Sequence, residues 1–129
     1  MRKVADNRRS NFLHKMTGNQ FLRFEGLAYN LADNFSENYN GGYWDFYALD
    51  NGGFFMALDK KDTYRFVNAM NYTDIELDGV AFGAVITLFA LGILAERSQF
   101  VADKYYLLRD AISNIFDKET ASKIYRAID

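Results

Sequence analysis

The chain contains no cysteine and no proline, and its one histidine is His14. The absence of cysteine excludes disulfide bonds, thiol nucleophiles and thiolate metal ligands together. One histidine is too few for the histidine and cysteine combinations that usually bind zinc, so we expect no metal and no cofactor. His14 could act as an acid or base, but a single histidine in a basic segment is more often a surface residue. The composition fits a reducing cytoplasm.

Long apolar runs are also scarce. The longest covers residues 79–95, seventeen residues between Asp78 and Glu96. A membrane-spanning helix needs about 20 apolar residues, so we interpret this run as a buried core helix rather than a span. Asp78 is a suitable N-cap for it. The basic N-terminus is not followed by the apolar stretch of a signal peptide, so export is not predicted.

Charge of one sign is not concentrated enough to define a function. The net charge is −2; residues 1–24 carry six basic residues and one acid, and residues 25–78 carry ten acids and three basic residues. A protein that imitates duplex DNA needs a denser acidic surface, since DNA presents about one charge per 1.7 Å of axis. A strong nucleic-acid binder would be basic over a whole face. Residues 1–16 are predicted to be a basic, partly ordered lead-in that could touch DNA phosphates, although such tails are more often only solvated.

The remaining residues, 17–129, have enough apolar material for one domain with one core. The spacing of Thr17 and Gln20 is that of a capping box. The apolar residues after it recur at helical spacing and predict a helix that ends near Asn38. Three more helices are predicted over residues 79–95, 100–116 and 117–128.

Between these helices the pattern changes to that of strands. Two Gly-Gly pairs bracket an aromatic run, and Asn51-Gly52 is typical of a type I′ turn joining strands over residues 43–49 and 53–58. A third strand is predicted over residues 64–68, and a fourth around 75–77 is left open. The predicted fold class is therefore α+β: an antiparallel three- or four-stranded meander packed with one N-terminal and about three C-terminal helices.

The first strand also supplies the candidate functional residues. Alternation places Tyr43, Asp45 and Tyr47 on one face, opposite Trp44 and Phe46. We predict that the face with Tyr43, Asp45 and Tyr47 is exposed and contacts a partner. The predicted turn consists of Asn51, Gly52 and Gly53, and we expect these three residues to have a structural role.

No residue set supports an enzyme. Asp45 could pair with Asp50 or Glu37 as a catalytic carboxylate, but a solvent-facing strand residue is the favoured interpretation. Neither Gly-Gly pair is followed by the Lys-Ser/Thr of a phosphate-binding loop. The aromatic run could form a stacking platform for single-stranded nucleic acid, yet no basic residue occurs between Phe24 and Lys60. Core packing with a protein-facing patch is therefore favoured, and we predict a protein that is not an enzyme.

The segment from Tyr39 to Ala57, YNGGYWDFYALDNGGFFMA, resembles the signature of the ArdB/KlcA antirestriction family. The similarity extends from about Arg8 to Asp129. The chain departs from the family pattern at three positions. It has His14 and Leu58 where the family usually has proline, and Asp50 where the family usually has serine. None of these would have to perform chemistry.

The resemblance implies a fold different from that of the DNA mimics and a small cytoplasmic protein carried by conjugative plasmids and other mobile elements. It also implies inhibition of type I restriction–modification complexes, which we predict to occur by protein contact, directly or indirectly. The alternative is a DNA-associated accessory factor of a mobile element that uses the basic N-terminal arm. Phage plating on restricting hosts separates the two.

Overall fold

The computed structural model describes all 129 residues, and it confirms an α+β architecture with antiparallel strands. The helices are α1 (Arg9–Thr17), α2 (Phe21–Phe35), α3 (Gly79–Leu94), α4 (Gln99–Ile115) and α5 (Lys118–Ile128). The strands are β1 (Arg2–Lys3), β2 (Asp45–Ala48), β3 (Phe54–Ala57), β4 (Thr63–Asn68) and β5 (Thr73–Asp78). Short 3-10 turns cover Asp6–Arg8 and Gly18–Gln20.

The strands form two sheets, so the prediction of one continuous meander is wrong. One sheet has the order β1-β2-β3, and the other is the β4-β5 hairpin. The outer edge of β3 is occupied by α3: the Met56 N–H donates to the Thr87 hydroxyl (3.1 Å), and the Leu58 N–H donates to the Gly79 carbonyl (3.1 Å). Because these groups are already bonded to the helix, β4 cannot pair with β3. The fourth strand, left open by the sequence, is β5.

The predicted core helix is confirmed. Helix α3 is buried along most of its length, and its N-cap is Asp78, whose carboxylate accepts from the Ala81 N–H (2.8 Å). The helix backbone lies directly against β3: a Cβ added at Gly83 would be 2.2 Å from the Met56 carbonyl oxygen. Only glycine permits this approach. None of the helices is both long and apolar enough to cross a membrane.

Residues 1–16 are not the partly ordered lead-in that the sequence predicts. Strand β1 pairs with β2 in antiparallel register, with Lys3 opposite Tyr47, and α1 follows. Val4, Leu13 and Met16 are buried in the core. The sequence signal was weak because β1 has only two residues, both exposed, and only three of the nine residues of α1 are large and apolar: Phe12, Leu13 and Met16.

The capping box predicted at Thr17 is also absent. Helix α1 runs through Thr17, whose hydroxyl donates to the Leu13 carbonyl oxygen (2.7 Å). Helix α2 begins four residues later, at Phe21, and has no side-chain cap. The hydroxyl is therefore used inside α1, where it bonds the preceding turn.

The β2-β3 turn forms where predicted, but it is not of type I′. Gly52 has a positive φ (92°), whereas Asn51 does not. The Gly52 N–H donates to the Leu49 carbonyl (3.1 Å), and the Leu49 N–H donates to the Gly53 carbonyl (2.9 Å). These bonds define a three-residue loop closed by a left-handed glycine. The side-chain oxygen of Asn51 accepts from the Gly53 N–H (2.9 Å). Its side-chain Nδ2 donates to the Leu107 carbonyl (2.8 Å), which fastens the turn to α4.

Candidate functional site

The predicted contact residues share one face, as the alternation indicated. Tyr43, immediately before β2, is 59% exposed, and Asp45 and Tyr47 are half-buried on the same side. Trp44 and Phe46 point the other way and are each 2% exposed. The sequence therefore assigned the two faces of this strand correctly, since successive side chains of a strand point to opposite sides.

The basic N-terminal segment lies on this same face. Lys3 Nζ is 3.5 Å from Asp45 Oδ1, and the Tyr43 hydroxyl donates to Asp6 Oδ1 (3.0 Å). The Arg9 guanidinium carbon lies 4.5 Å from the centre of the Tyr43 ring, and the same side chain donates to the Trp44 carbonyl oxygen. The candidate contact face and the basic arm, which the sequence treats as separate features, thus form one surface.

These contacts explain the electrostatics of Tyr43. Its hydrogen bond to Asp6 raises the pKa of the phenol, and the positive charge of Arg9 opposes that effect. The phenol therefore remains a neutral donor near neutral pH. A guanidinium over the ring adds a cation–π attraction, which is weak at an exposed site. Tyr43 is consequently held by Asp6 and Arg9 despite its exposure.

Tyr47 differs from Tyr43 because its ring is stacked on a core residue. It lies directly opposite Phe55 in the β2-β3 register, and the two rings stack at 5.4 Å with an interplanar angle of 21°. Phe55 is completely buried and also contacts Phe116. The position of Tyr47 is therefore set by the core, as expected of a cross-strand aromatic pair.

The face opens into a groove of about 990 Å³, whose walls include the loop before β2, the start of α3 and the junction of α4 and α5. Tyrosines 43, 47 and 64 and Phe116 are among its lining residues. One lysine, Lys60, lies among five aspartates: Asp45, Asp59, Asp62, Asp78 and Asp117.

Several of these carboxylates have structural partners. Asp78 caps α3, and Asp117 caps α5 by accepting from the Thr120 N–H (2.7 Å). That hydrogen bond lowers the pKa of the Asp117 carboxyl. Asp45 is paired with Lys3. The groove is therefore acidic partly because two helices begin at its wall, where aspartate is a favoured cap.

Comparison with known proteins identifies the family. A family model described as "Antirestriction protein" matches residues 37–129. The antirestriction protein KlcA of Escherichia coli is 36% identical over 133 residues, which covers 98% of this chain and 92% of that protein. The chain belongs to the antirestriction protein family.

Two further relatives extend this result. The putative antirestriction protein YubI of Escherichia coli K12 is 30% identical, over 98% of this chain and 93% of its own length. A solved structure matches with a TM-score of 0.86 and 38% identity, over 99% of this chain and 93% of the other. That structure is from the KlcA and ArdB proteins, which are described as showing a novel fold and antirestriction activity against type I DNA restriction systems in vivo but not in vitro. The resemblance found from the segment Tyr39 to Ala57 is thereby confirmed.

In this antirestriction protein the candidate catalytic carboxylates are not brought together. Asp45, Asp50 and Glu37 line three different pockets, and Asp50 lies at the exposed β2-β3 turn. No group of three or more histidine, aspartate or glutamate side chains is arranged to hold a metal ion. His14 is exposed, with its ring edge-on to Phe21 at 4.9 Å.

The aromatic run of the antirestriction protein is not a continuous stacking platform. Trp44 is buried against Phe82 and donates from Nε1 to the Tyr39 hydroxyl (3.1 Å), and Phe46 is buried as well. Tyr43 and Tyr47 are left on the open side. The two sets serve core and surface separately, which agrees with the interpretation of core packing plus a patch.

Sequence reasoning missed Lys3, Asp6 and Arg9 as components of this face. Their contacts with the strand join residues 35 to 42 positions apart in the chain, a separation at which no local period gives a signal. The charge of the arm was visible, but its location was not. The available hint was an aromatic residue and an acid on the same face, Tyr43 and Asp45, because Arg and Lys commonly pair with such residues.

Proposed function

We propose that this antirestriction protein protects incoming mobile-element DNA from type I restriction–modification systems, in the cytoplasm and without catalysis, by binding protein. The observation that carries the proposal is the match to the KlcA and ArdB structure, over 99% of the chain, together with the activity described for those proteins. At 38% identity the two chains share their fold, and the same cellular role is the simplest inference. The family match over residues 37–129 supports it.

The proposed mechanism is indirect contact. The related proteins act in vivo but not in vitro, which is the behaviour expected if a cellular component absent from the purified reaction is required. An inhibitor that needed only the restriction enzyme would also be active in vitro, against the purified enzyme. We therefore propose that the partner is a cellular protein that controls or assists the restriction complex, and not DNA.

The proposed contact surface is the face of Tyr43, Asp45 and Tyr47, together with the groove beside it. Tyrosine is enriched among residues that carry the energy of protein interfaces. The groove has five aspartates and one lysine, so phosphate would be repelled there. DNA mimicry is not proposed, because two of the aspartates are helix caps and the chain as a whole carries only −2.

The alternative, a DNA-binding accessory role for the basic arm, is less well supported. Lys3 and Arg9 already have partners within the chain, on the side of Asp45 and Tyr43. Arg2, Arg8 and Lys15 remain as exposed basic residues of the arm without an ion-pair partner. Three exposed basic side chains would neutralise few phosphates, so DNA binding through them would be weak and only modestly salt-dependent.

Phage plating on hosts with type I, II or III systems, with and without the gene, tests the function. The surface is tested by two variants, Tyr43→Ser/Asp45→Asn and Arg2→Gln/Arg8→Gln/Lys15→Gln, with a melting temperature recorded for each. Arg9 is left unchanged because it supports the fold around Trp44.

Protein contact predicts that the first variant loses type I protection and the second keeps it, with both still folded. The reverse result would establish the DNA-binding role. Protection retained by both would remove this face as the contact surface, and absence of protection by the parent protein would end the proposed function itself.

A further inference from the structure

The tripeptide Asn-Gly-Gly occurs twice in the chain, at residues 40–42 and 51–53, and these are the two places where an asparagine precedes a glycine. An asparagine in this position is chemically labile. The backbone nitrogen of the glycine attacks the side-chain amide carbon, and glycine has no side chain to obstruct the approach. Because the two tripeptides are identical, a difference in their reactivity in the folded protein is set by structure.

The reaction is intramolecular, and water is its only co-reactant. The glycine nitrogen gives up its proton and forms a bond to Cγ of the asparagine, while the C–N bond of the side-chain amide breaks and ammonia leaves with that proton. Water then opens the cyclic imide at either carbonyl, which gives aspartate or isoaspartate. The reaction therefore requires a glycine N–H without a partner and an asparagine side chain that is free to rotate towards it.

The second tripeptide does not meet these requirements. The Gly52 N–H donates to the Leu49 carbonyl (3.1 Å). The Asn51 side chain is fixed at both atoms, since its oxygen accepts from the Gly53 N–H (2.9 Å) and its nitrogen donates to the Leu107 carbonyl (2.8 Å). Reaction at Asn51 would require these hydrogen bonds to open, and each of them stabilises the folded turn.

The first tripeptide meets both requirements. It lies in the segment between α2 and β2, which has no regular secondary structure, and Asn40 and Gly41 are both exposed. The Gly41 N–H has no hydrogen-bond partner in the chain, and a Cβ added at Gly41 would meet no atom within 4 Å. The Asn40 side chain is likewise without a partner, whereas the neighbouring Asn38 is held by two hydrogen bonds to β4.

We propose that Asn40 is a site of spontaneous deamidation in the folded protein and that the fold protects its counterpart, Asn51. Asn40 lines the groove beside Tyr43, so aspartate at this position would add a negative charge to the five aspartates already there. Isoaspartate would also lengthen the backbone by one carbon, three residues before Tyr43. The effect on partner binding rests on the proposed function, but the reaction itself does not.

The test incubates the purified chain at mildly alkaline pH and follows each asparagine by mass spectrometry, which detects the gain in mass when an amide becomes an acid. No lysine or arginine occurs between Phe24 and Lys60, so trypsin leaves both sites in one peptide. Chymotrypsin cleaves after aromatic residues and separates them, since an aromatic run lies between the two tripeptides. Synthetic peptides of residues 37–44 and 48–55 give the two rates without the fold.

The two peptides should react at similar rates. In the folded protein Asn40 should react at about its peptide rate, and Asn51 should react about tenfold more slowly or less, because the hydrogen bonds of its turn must open first. Unfolding in urea should remove this difference. Asn40→Gln should abolish the fast reaction, since glutamine would have to form a larger ring, and the matched variant Asn51→Gln should leave the reaction at Asn40 unchanged.

Equal rates at the two sites in the folded chain would overturn the proposal, as would an Asn40 that stays intact while its peptide reacts. A difference already present between the two peptides and unchanged by folding would assign the selectivity to the flanking sequence and would also overturn it. The readout is the mass of each peptide, so the result is independent of whether the chain protects DNA from restriction.

Discussion

Individual residues of the β2-β3 turn have divided roles. Gly52 provides the positive φ that closes the loop, and an added Cβ would meet nothing closer than Leu107 at 4.0 Å. The requirement for glycine is therefore conformational and not steric. Asn51 instead contributes its side chain, which joins the turn to α4. The predicted pair of left-handed residues is reduced to one because the loop has three residues rather than two.

Gly52→Val should lower the free energy of unfolding by about 1 kcal/mol or more, because a β-branched residue is strained at positive φ. Antirestriction should decline together with stability. Thermal or urea unfolding measures the effect, and plating measures the activity. Gly26→Ala is the control: its added methyl meets no atom within 4 Å, and alanine in a helix interior should be stabilising by about 0.5–1 kcal/mol.

Loss of protection by Gly52→Val at an unchanged melting temperature would contradict this account. The turn would then be a contact site, and Asn51, Gly52 and Gly53 would no longer be assigned a structural role alone.

At the scale of elements, α3 organises the fold. It is buried along most of its length, and it bonds the edge of β3 through the Thr87 hydroxyl and the Gly79 carbonyl. The same interaction separates the two sheets. A helix that takes the place of a neighbouring strand satisfies the strand's N–H groups and also protects an edge that would otherwise be open to pairing.

Gly83→Ala should be strongly destabilising, because its Cβ would lie 2.2 Å from the backbone oxygen of Met56 and the helix would have to move. Overpacking typically costs about 1–3 kcal/mol, and contact with backbone places this case at the upper end or beyond. Gly92→Ala is the control in the same helix, since its Cβ would meet Tyr105 at an ordinary 3.5 Å. Chemical denaturation distinguishes them: equal stability of the two variants would show that the approach of α3 to β3 is looser than described.

At the scale of the whole molecule, the N-terminal residues belong to the domain. The boundary predicted between residues 16 and 17 falls at the end of α1, after two residues that are buried in the core, Leu13 and Met16. Arg9 and Asp6 attach the same segment to the face of Tyr43. The proposed contact surface is therefore built from residues on both sides of the predicted boundary.

A fragment of residues 17–129 should be much less stable than the full chain. Burial of each large apolar side chain contributes about 1.5–3 kcal/mol, and domains of this kind have about 5–15 kcal/mol in total. Circular dichroism melts of the fragment and the full chain provide the comparison, with deletion of residues 1–3 as a milder control. A fragment that melts at the parent temperature would restore the lead-in as a separate segment.

The sequence by itself determined the features that depend on local periodicity. The burial of α3, its cap at Asp78, and the opposite orientations of Tyr43 and Trp44 follow from spacing and cap chemistry, which act over a few residues. The family also followed from a contiguous segment, Tyr39 to Ala57, and the comparisons confirm it.

The tertiary structure decided the features that join distant parts of the chain. The hydroxyl of Thr87 reaches β3 across 31 positions, and Arg9 reaches Trp44 across 35. Such contacts depend on how elements pack after they form, and they leave no periodic trace in the residues that make them. For that reason the division into two sheets and the union of the basic arm with the candidate face emerge only in three dimensions.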